Sequence, residues 1–159
     1  MKPNPYNKGF SFIELVITVA ILGVLASAAF PMAKLASQRT KEQELKQSLR
    51  QIRTAIDAYK QASDEGRISR SITLTGYPPT LATLVNGVDD EKDPDHKKIY
   101  FLRKLPKDPL AENEANPEES WGKRSYASSS ENPQEGTDVF DVYSKATGVG
   151  LNGIPYQEW

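Results

Sequence analysis

Glu14 is the only charged residue between Phe10 and Ala33. A carboxylate near the start of an apolar run is costly to keep there and is usually retained for a cation, unless its side chain turns back toward water. Both readings stay open for Glu14 on these residues alone. Asp89, Asp90, Glu91, Asp93, Asp95 and the sole histidine, His96, gather carboxylates and an imidazole as a metal site would. Lys92, Lys97 and Lys98 neutralise them and no spacing fixes a coordination geometry, so a solvated loop is expected. Gly148-Val149-Gly150-Leu151-Asn152-Gly153 matches G-x-G-x-x-G, the pattern that brings backbone close to a dinucleotide's pyrophosphate. That chemistry needs a helix N-terminus after the glycines, whereas Pro155 follows at once, so a turn-rich loop is expected instead. There is no cysteine, and His96 has no serine or carboxylate constellation to work with. No catalytic residue and no enzyme are expected.

The elements that must position Glu14 come first in the chain. At about 1.5 Å rise per residue, Phe10 to Ala33 spans about 36 Å as a helix, enough for a ~30 Å hydrocarbon core. Lys2 and Lys8 precede this run and an acidic remainder follows it, so the positive-inside rule places residues 1–9 in the cytoplasm and the bulk outside it. The same segment can be read as a secretory signal with Ala26-Ser27-Ala28 as its cleavage site. Against that stand Glu14 in the apolar core and the apolar residues beyond the supposed cut, Ala29, Phe30 and Ala33. Gly23, Ala26, Ser27, Ala28 and Ala29 suit close helix approach equally well. Pro31 lies within the helical pattern and should kink or loosen it.

Beyond a polar stretch at 37–44, Leu45, Leu49, Ile52, Ile56 and Tyr59 recur at helical spacing and predict one buried stripe, with the helix ending between Ser63 and Gly66. Gly76 to Pro79 is a turn, and 80–85 a short helix opened by proline, with Leu81, Leu84 and Val85 toward the stripe. Leu102 and Leu105 should anchor a proline-bound segment, with Trp121 plugging a small core. Residues 125–128 and 137–144 predict an antiparallel hairpin, turned at Asn132 to Gly136. In the second strand Phe140 and Val142 would face one way, Val139 and Tyr143 the other. The formal net charge is −1, and loss of Lys2 and Lys8 would make the side chains −3. No basic patch suits nucleic acid.

A short basic leader ending in Gly9, the aromatic Phe10, Glu14 in the fifth place after Gly9 and Pro31 in the twenty-second together resemble the type IV pilin and pseudopilin precursors. The resemblance implies cleavage between Gly9 and Phe10 by a prepilin peptidase, N-methylation of Phe10, a Glu14 carboxylate that pairs with a neighbour's Phe10 ammonium during assembly, and a helix curved at Pro31. Leu105-Pro106-Lys107-Asp108-Pro109 is similar to the Leu-Pro-x-Asp-Pro segment of the major (G-type) pseudopilins of type II secretion systems, which runs directly into Trp-Gly. Here Leu110 to Ser120 intervenes before Trp121-Gly122, and this insert reads as an exposed loop. The lack of cysteine separates the chain from pilins closed by a disulfide.

The implied fold is α+β, a long N-terminal helix packed against a small antiparallel β-sheet head. Its parts are a leader at 1–9, a transmembrane and polymerisation helix at 10–33, an amphipathic half at 34–66 and a globular head at 67–159. The implied function is a structural pseudopilin: single-pass in the bacterial inner membrane, head in the periplasm, assembled as a homo-oligomeric filament that drives protein export. Prepilin peptidase, minor pseudopilins and the inner-membrane secretion machinery would be its partners. A type IV pilin or minor pilin, and a membrane-anchored periplasmic binding or scaffold domain, are the alternatives. Such major pseudopilins often hold calcium in the loop after the last strand. Residues 145–157 contain no Asp or Glu, and Asp138 and Asp141 read as strand, so no cofactor is expected here; the glycine-rich loop and the stretch Tyr156 to Trp159 would take the ion's place.

Overall fold

The structure of the chain, a computed structural model, describes residues 9–69, 74–111 and 116–159, and the side chains within them except those of 28–30. Leader residues 1–8 and positions 112–115 of the expected insert lie outside the described residues. The chain divides into two compact units, Met1–Thr40 and Lys41–Trp159.

One helix, α1 (Phe12–Asp64), contributes to both units, and its surface obeys different rules in each. Up to Thr40, the described large apolar side chains from Phe12 to Leu35 are all exposed, Ile13, Leu22 and Val24 by more than 60%. Two hydroxyls here bond within the helix: Thr18 Oγ1 donates to Leu15 O at 2.8 Å and Ser27 Oγ to Val24 O at 2.7 Å. Such closure lets a hydroxyl sit on an apolar surface without an orphaned donor. The helix continues through Pro31.

From Lys41 onward the spacing predicted a stripe, and Leu45, Leu49, Ile52, Ile56 and Tyr59 are all buried. Termination falls where the glycine signal placed it. Gly66, at φ 71°, sits in the left-handed region; Arg67 N donates to Ala62 O at 2.9 Å and Gly66 N to Ser63 O at 3.0 Å. This is the paired closure of a Schellman motif, which satisfies the last carbonyls.

Four short elements and two turns of helix cover the stripe. Helix α2 (Leu81–Asn86) opens on Thr80, whose side chain accepts from Thr83 N, so the cap is a hydroxyl and the expected proline start is displaced to just before it. Leu81 and Leu84 are fully buried. Strands β1 (Val88–Asp89) and β2 (Lys98–Ile99) pair antiparallel, Val88 opposite Ile99. The acidic stretch expected as a plain solvated loop is thus a small hairpin, with Asp90 buried at its base.

The main pair is β3 (Trp121–Arg124) with β4 (Asp141–Ser144), antiparallel, in the register Trp121 opposite Ser144 and Gly122 opposite Tyr143. The first strand therefore lies four residues before the expected 125–128, which form turns. Gly122 explains the register, because a Cβ there would collide with the Tyr143 ring lying across it. Strand pairing also begins at Asp141 rather than 137, so Val139 escapes the expected alternation and is buried along with Val142. Val139 N instead donates to Pro78 O at 2.8 Å. Trp121 is 0% exposed at the centre, its indole N–H donating to Pro106 O at 2.9 Å. A single 3-10 turn (Tyr156–Glu158) follows the glycine-rich loop. The long N-terminal helix with small antiparallel sheets is the α+β, pilin-like arrangement the sequence implied.

Candidate functional site

Gly9 and Phe10 precede α1, both exposed, Phe10 by 78%. Among the described residues nothing folds over this bond. Leu15 N donates to Ser11 O at 3.1 Å, closing the first turn, and Glu14 stands in that turn, exposed. A carboxylate there complements the positive end of the helix, whose first N–H groups have no partner within it. The structure gives Glu14 an ordered base and no cation among the described residues. Pro31 lies inside α1 with no main-chain N–H to give. Among the described residues α1 is the one helix long and apolar enough to cross a membrane by length and composition, and it fits a membrane anchor.

Within the second unit, polar residues that the sequence left unassigned hold the head closed. Glu42 is buried, and its Oε1 accepts from Leu151 N and from the Tyr156 hydroxyl, each at 2.9 Å. Arg53 donates to Asp141 Oδ1 at 2.8 Å, Val142 O at 3.0 Å and the Trp159 main-chain oxygen at 2.7 Å. Tyr156 and Trp159 meet edge to face at 5.3 Å, and the Lys46 ammonium lies 4.5 Å from the Trp159 ring centroid. These contacts tie residues 148–159 to the first turns of the buried stripe.

Asp108 fastens the Leu-Pro-x-Asp-Pro segment. Its carboxylate accepts from Ser144 Oγ at 2.6 Å and Leu110 N at 2.8 Å, while its own N–H donates to Ser120 Oγ at 3.2 Å. Asp138 accepts from the Thr75 hydroxyl, from Ser125 Oγ at 2.7 Å and from Tyr126 N at 2.9 Å. Burial works to raise the Asp138 pKa, but these donors favour the charged form and together hold it below the usual carboxylate value. Asp90 is likewise held low, chiefly by its hydrogen bond to the Arg67 guanidinium at 2.5 Å.

The loop of residues 145–157 does not fit a hard cation. Its oxygens face its own donors: Gly148 O takes Tyr156 N, Gly150 O takes Gly153 N, Ile154 O takes Gly150 N and the Trp159 indole, and Asn152 Oδ1 takes Ile154 N. Asp141, the nearest carboxylate in β4, already lies between Arg53 and Arg124. A calcium ion asks for six or more oxygens turned inward, which this loop does not offer. The loop is also no nucleotide cradle, since a bridge from Val149 to Pro155 and a 3-10 turn follow the glycines in place of a helix N-terminus. His96 is exposed in the β1–β2 turn.

Residues 4–30 match the model of the prokaryotic N-terminal methylation motif. The chain is 38% identical over 76 residues to a type IV major pilin protein of Myxococcus xanthus, a match covering 48% of this chain and 34% of that pilin. It is 27% identical over 112 residues to the type II secretion system core protein G of Vibrio cholerae, covering 69% of each. With the core protein G of Pseudomonas aeruginosa it is 30% identical over 107 residues, 65% of this chain and 68% of that one. No solved structure matches the chain significantly. With the methylation motif and a match of 30% identity covering 68% of such a protein, the chain belongs to the core protein G family of type II secretion systems, the pilin-like pseudopilins.

Proposed function

We propose that this chain is a structural subunit of a periplasmic filament of the type II secretion system, cleaved between Gly9 and Phe10 by a prepilin peptidase and methylated at Phe10. It spans the bacterial inner membrane once, with residues 1–9 in the cytoplasm and the head in the periplasm, and passes into a homo-oligomeric filament whose growth drives protein export. Minor pseudopilins and the inner-membrane secretion machinery are its partners. The observation that carries this reading is the surface of α1 up to Thr40, apolar and exposed from Phe12 to Leu35 with one carboxylate, Glu14, in its first turn. Such a surface demands lipid or another copy, and Glu14 demands a cation, which the Phe10 ammonium of a neighbour supplies.

The role is structural, without catalytic residues, and the head works without a metal, because its C-terminal loop is closed by Glu42 and Arg53. A type IV pilin is the second reading, favoured by the identity to the Myxococcus pilin, which covers about half of this chain. Glu14→Leu tests the assembly role: membrane insertion and leader cleavage persist while filament incorporation is lost. Normal incorporation of that variant would falsify the pairing. Mass spectrometry of the mature protein reads the processing: a methylated Phe10 supports it, whereas a start near Ala29 or an intact Met1 overturns it.

A further inference from the structure

The glycine-rich loop after β4 turns apolar side chains outward. Val149, Leu151 and Ile154 are each exposed by 43% or more, whereas the other exposed large apolar side chains of the head, Leu74, Tyr100 and Tyr126, stand singly along the chain. Single exposed apolar residues are ordinary, but a cluster on one loop calls for a cover. The loop is also preformed: Gly150 N donates to Ile154 O and Gly153 N to Gly150 O, each at 2.9 Å, and Asn152 Oδ1 accepts from Ile154 N at 3.1 Å. A surface shaped in advance gives up little conformational entropy when it is covered.

Its neighbours have the composition of a lipid interface. Ile154 shares a pocket with Leu49, Lys46, Arg50 and Trp159. Trp159 is half-buried, its indole N–H donating to Ile154 O at 3.2 Å and its ring lying under the Lys46 ammonium. An indole with one wet edge, apolar side chains and long cationic stems is what the headgroup layer of a membrane accommodates. Charge at this place is positive. Glu158 is the carboxylate in the same lining, and the exposed Lys46 and Arg50 outnumber it. Arg53 there is already paired with Asp141, and Glu42 is buried under the Leu151 N–H that it holds.

The tether keeps this loop near lipid. Leu151 N meets α1 at Glu42, and the chain from Ala33, where the apolar run ends, to Glu42 rises about 14 Å as unbroken helix. Headgroups extend about 5–8 Å beyond the hydrocarbon, which leaves about one Debye length, about 8 Å, between them and Glu42. We propose that the Val149–Leu151–Ile154 loop rests in the headgroup layer of the anionic periplasmic leaflet while the subunit is anchored there, with Lys46 and Arg50 against lipid phosphates. The inference rests on the single-pass membrane reading and adds to it a second, reversible lipid contact made by the head.

The full chain reconstituted in vesicles of phosphatidylcholine and phosphatidylglycerol is the test. It has no cysteine, so Leu22→Cys, Lys97→Cys and Val149→Cys can each carry one nitroxide, whose collisions with lipid-dissolved oxygen and with an aqueous nickel complex are compared. The oxygen-to-nickel ratio at Val149 should exceed that at Lys97 about tenfold and approach that at Leu22. Adding Arg50→Gln should lower the Val149 ratio up to about fivefold, the factor for one cation at an anionic surface, and adding Leu151→Ser with Ile154→Ser should bring it to the Lys97 level. A Val149 label as open to nickel as the Lys97 label, or unmoved by the serine pair, would overturn the inference, and a Leu22 label in lipid in that same experiment leaves the anchor reading standing. If the Leu22 label is also open to water, both readings fall. Protection at Val149 that grows with the protein-to-lipid ratio assigns the loop to a second copy and overturns the lipid contact.

Discussion

Two stretches of α1 carry apolar residues, the first far more densely than the second, and dispose of them in opposite ways. Before Thr40 the described large apolar side chains are exposed. After Lys41 the stripe from Leu45 to Tyr59 is buried under α2, Trp121, Val139 and Val142 of the same chain. Each Leu, Ile or Val left in water forgoes about 1.5–3 kcal/mol of burial, so the first stretch is stable only against an external partner. The lesson concerns polar groups as much as apolar ones. In the first unit Thr18 and Ser27 bond within their own turn, whereas in the second Glu42 and Arg53 reach residues near the other end of the sequence.

That contrast breaks if the two stretches respond alike to truncation. Trp121→Ala, which empties the centre of the head, should cost about 3–5 kcal/mol in urea unfolding of the full chain in detergent, while Leu22→Ala in the first unit should leave that midpoint unchanged. Removing a polar closure should cost less. Glu42→Ala removes the acceptor shared by Leu151 N and the Tyr156 hydroxyl, an expected loss of about 1–3 kcal/mol, and thermal melts of the parent should coincide in calcium and in chelator. A rise of the parent's midpoint with calcium would contradict a loop closed by protein groups alone. Acid should act on the head in a graded way. Asp138 and Asp90 have pKa values held below those of the unfolded chain, so their contribution is full above the unfolded value of about 4 and is lost as pH falls through the lower folded values. Urea midpoints should therefore fall below about pH 4, and Asp138→Asn should flatten that slope, in which the first unit has no part.

Legibility from sequence followed the same division. A helical stripe is a local periodicity, and Leu45 to Tyr59, the stop at Gly66 and the burial of Leu81, Leu84 and Trp121 were all readable from spacing and turn residues. The strand at 121–124 was missed because its residues, Trp-Gly-Lys-Arg, show no alternation, and its register depends on a glycine making room for Tyr143 across the pair. The small hairpin at 88–99 hid inside a charge-rich stretch for a similar reason, since Asp90 is buried only because Arg67 reaches it. Glu42 lies in a polar stretch, and nothing local marks the partners of Arg53 or Asp108. Apart from the bonds of Asp108 to Leu110 and Ser120, their partners lie 36 to 114 positions away, a distance over which no periodicity operates. In the candidate site, what the sequence implies for Gly9, Phe10 and Glu14 is carried by order along the chain rather than by a folded pocket.

The knot at Asp108 has a consequence for how this head tolerates change. Asp108 N and Ser120 Oγ join the two ends of the stretch between them, and Ser120 is further tied to Pro117 O at 2.7 Å. An excursion stapled at its base can lengthen at little thermodynamic cost, each doubling of a flexible loop adding about 0.6 kcal/mol of closure entropy. An epitope inserted between Asp108 and Ser120 should therefore leave the urea midpoint of the head, and the burial of Trp121, close to those of the parent.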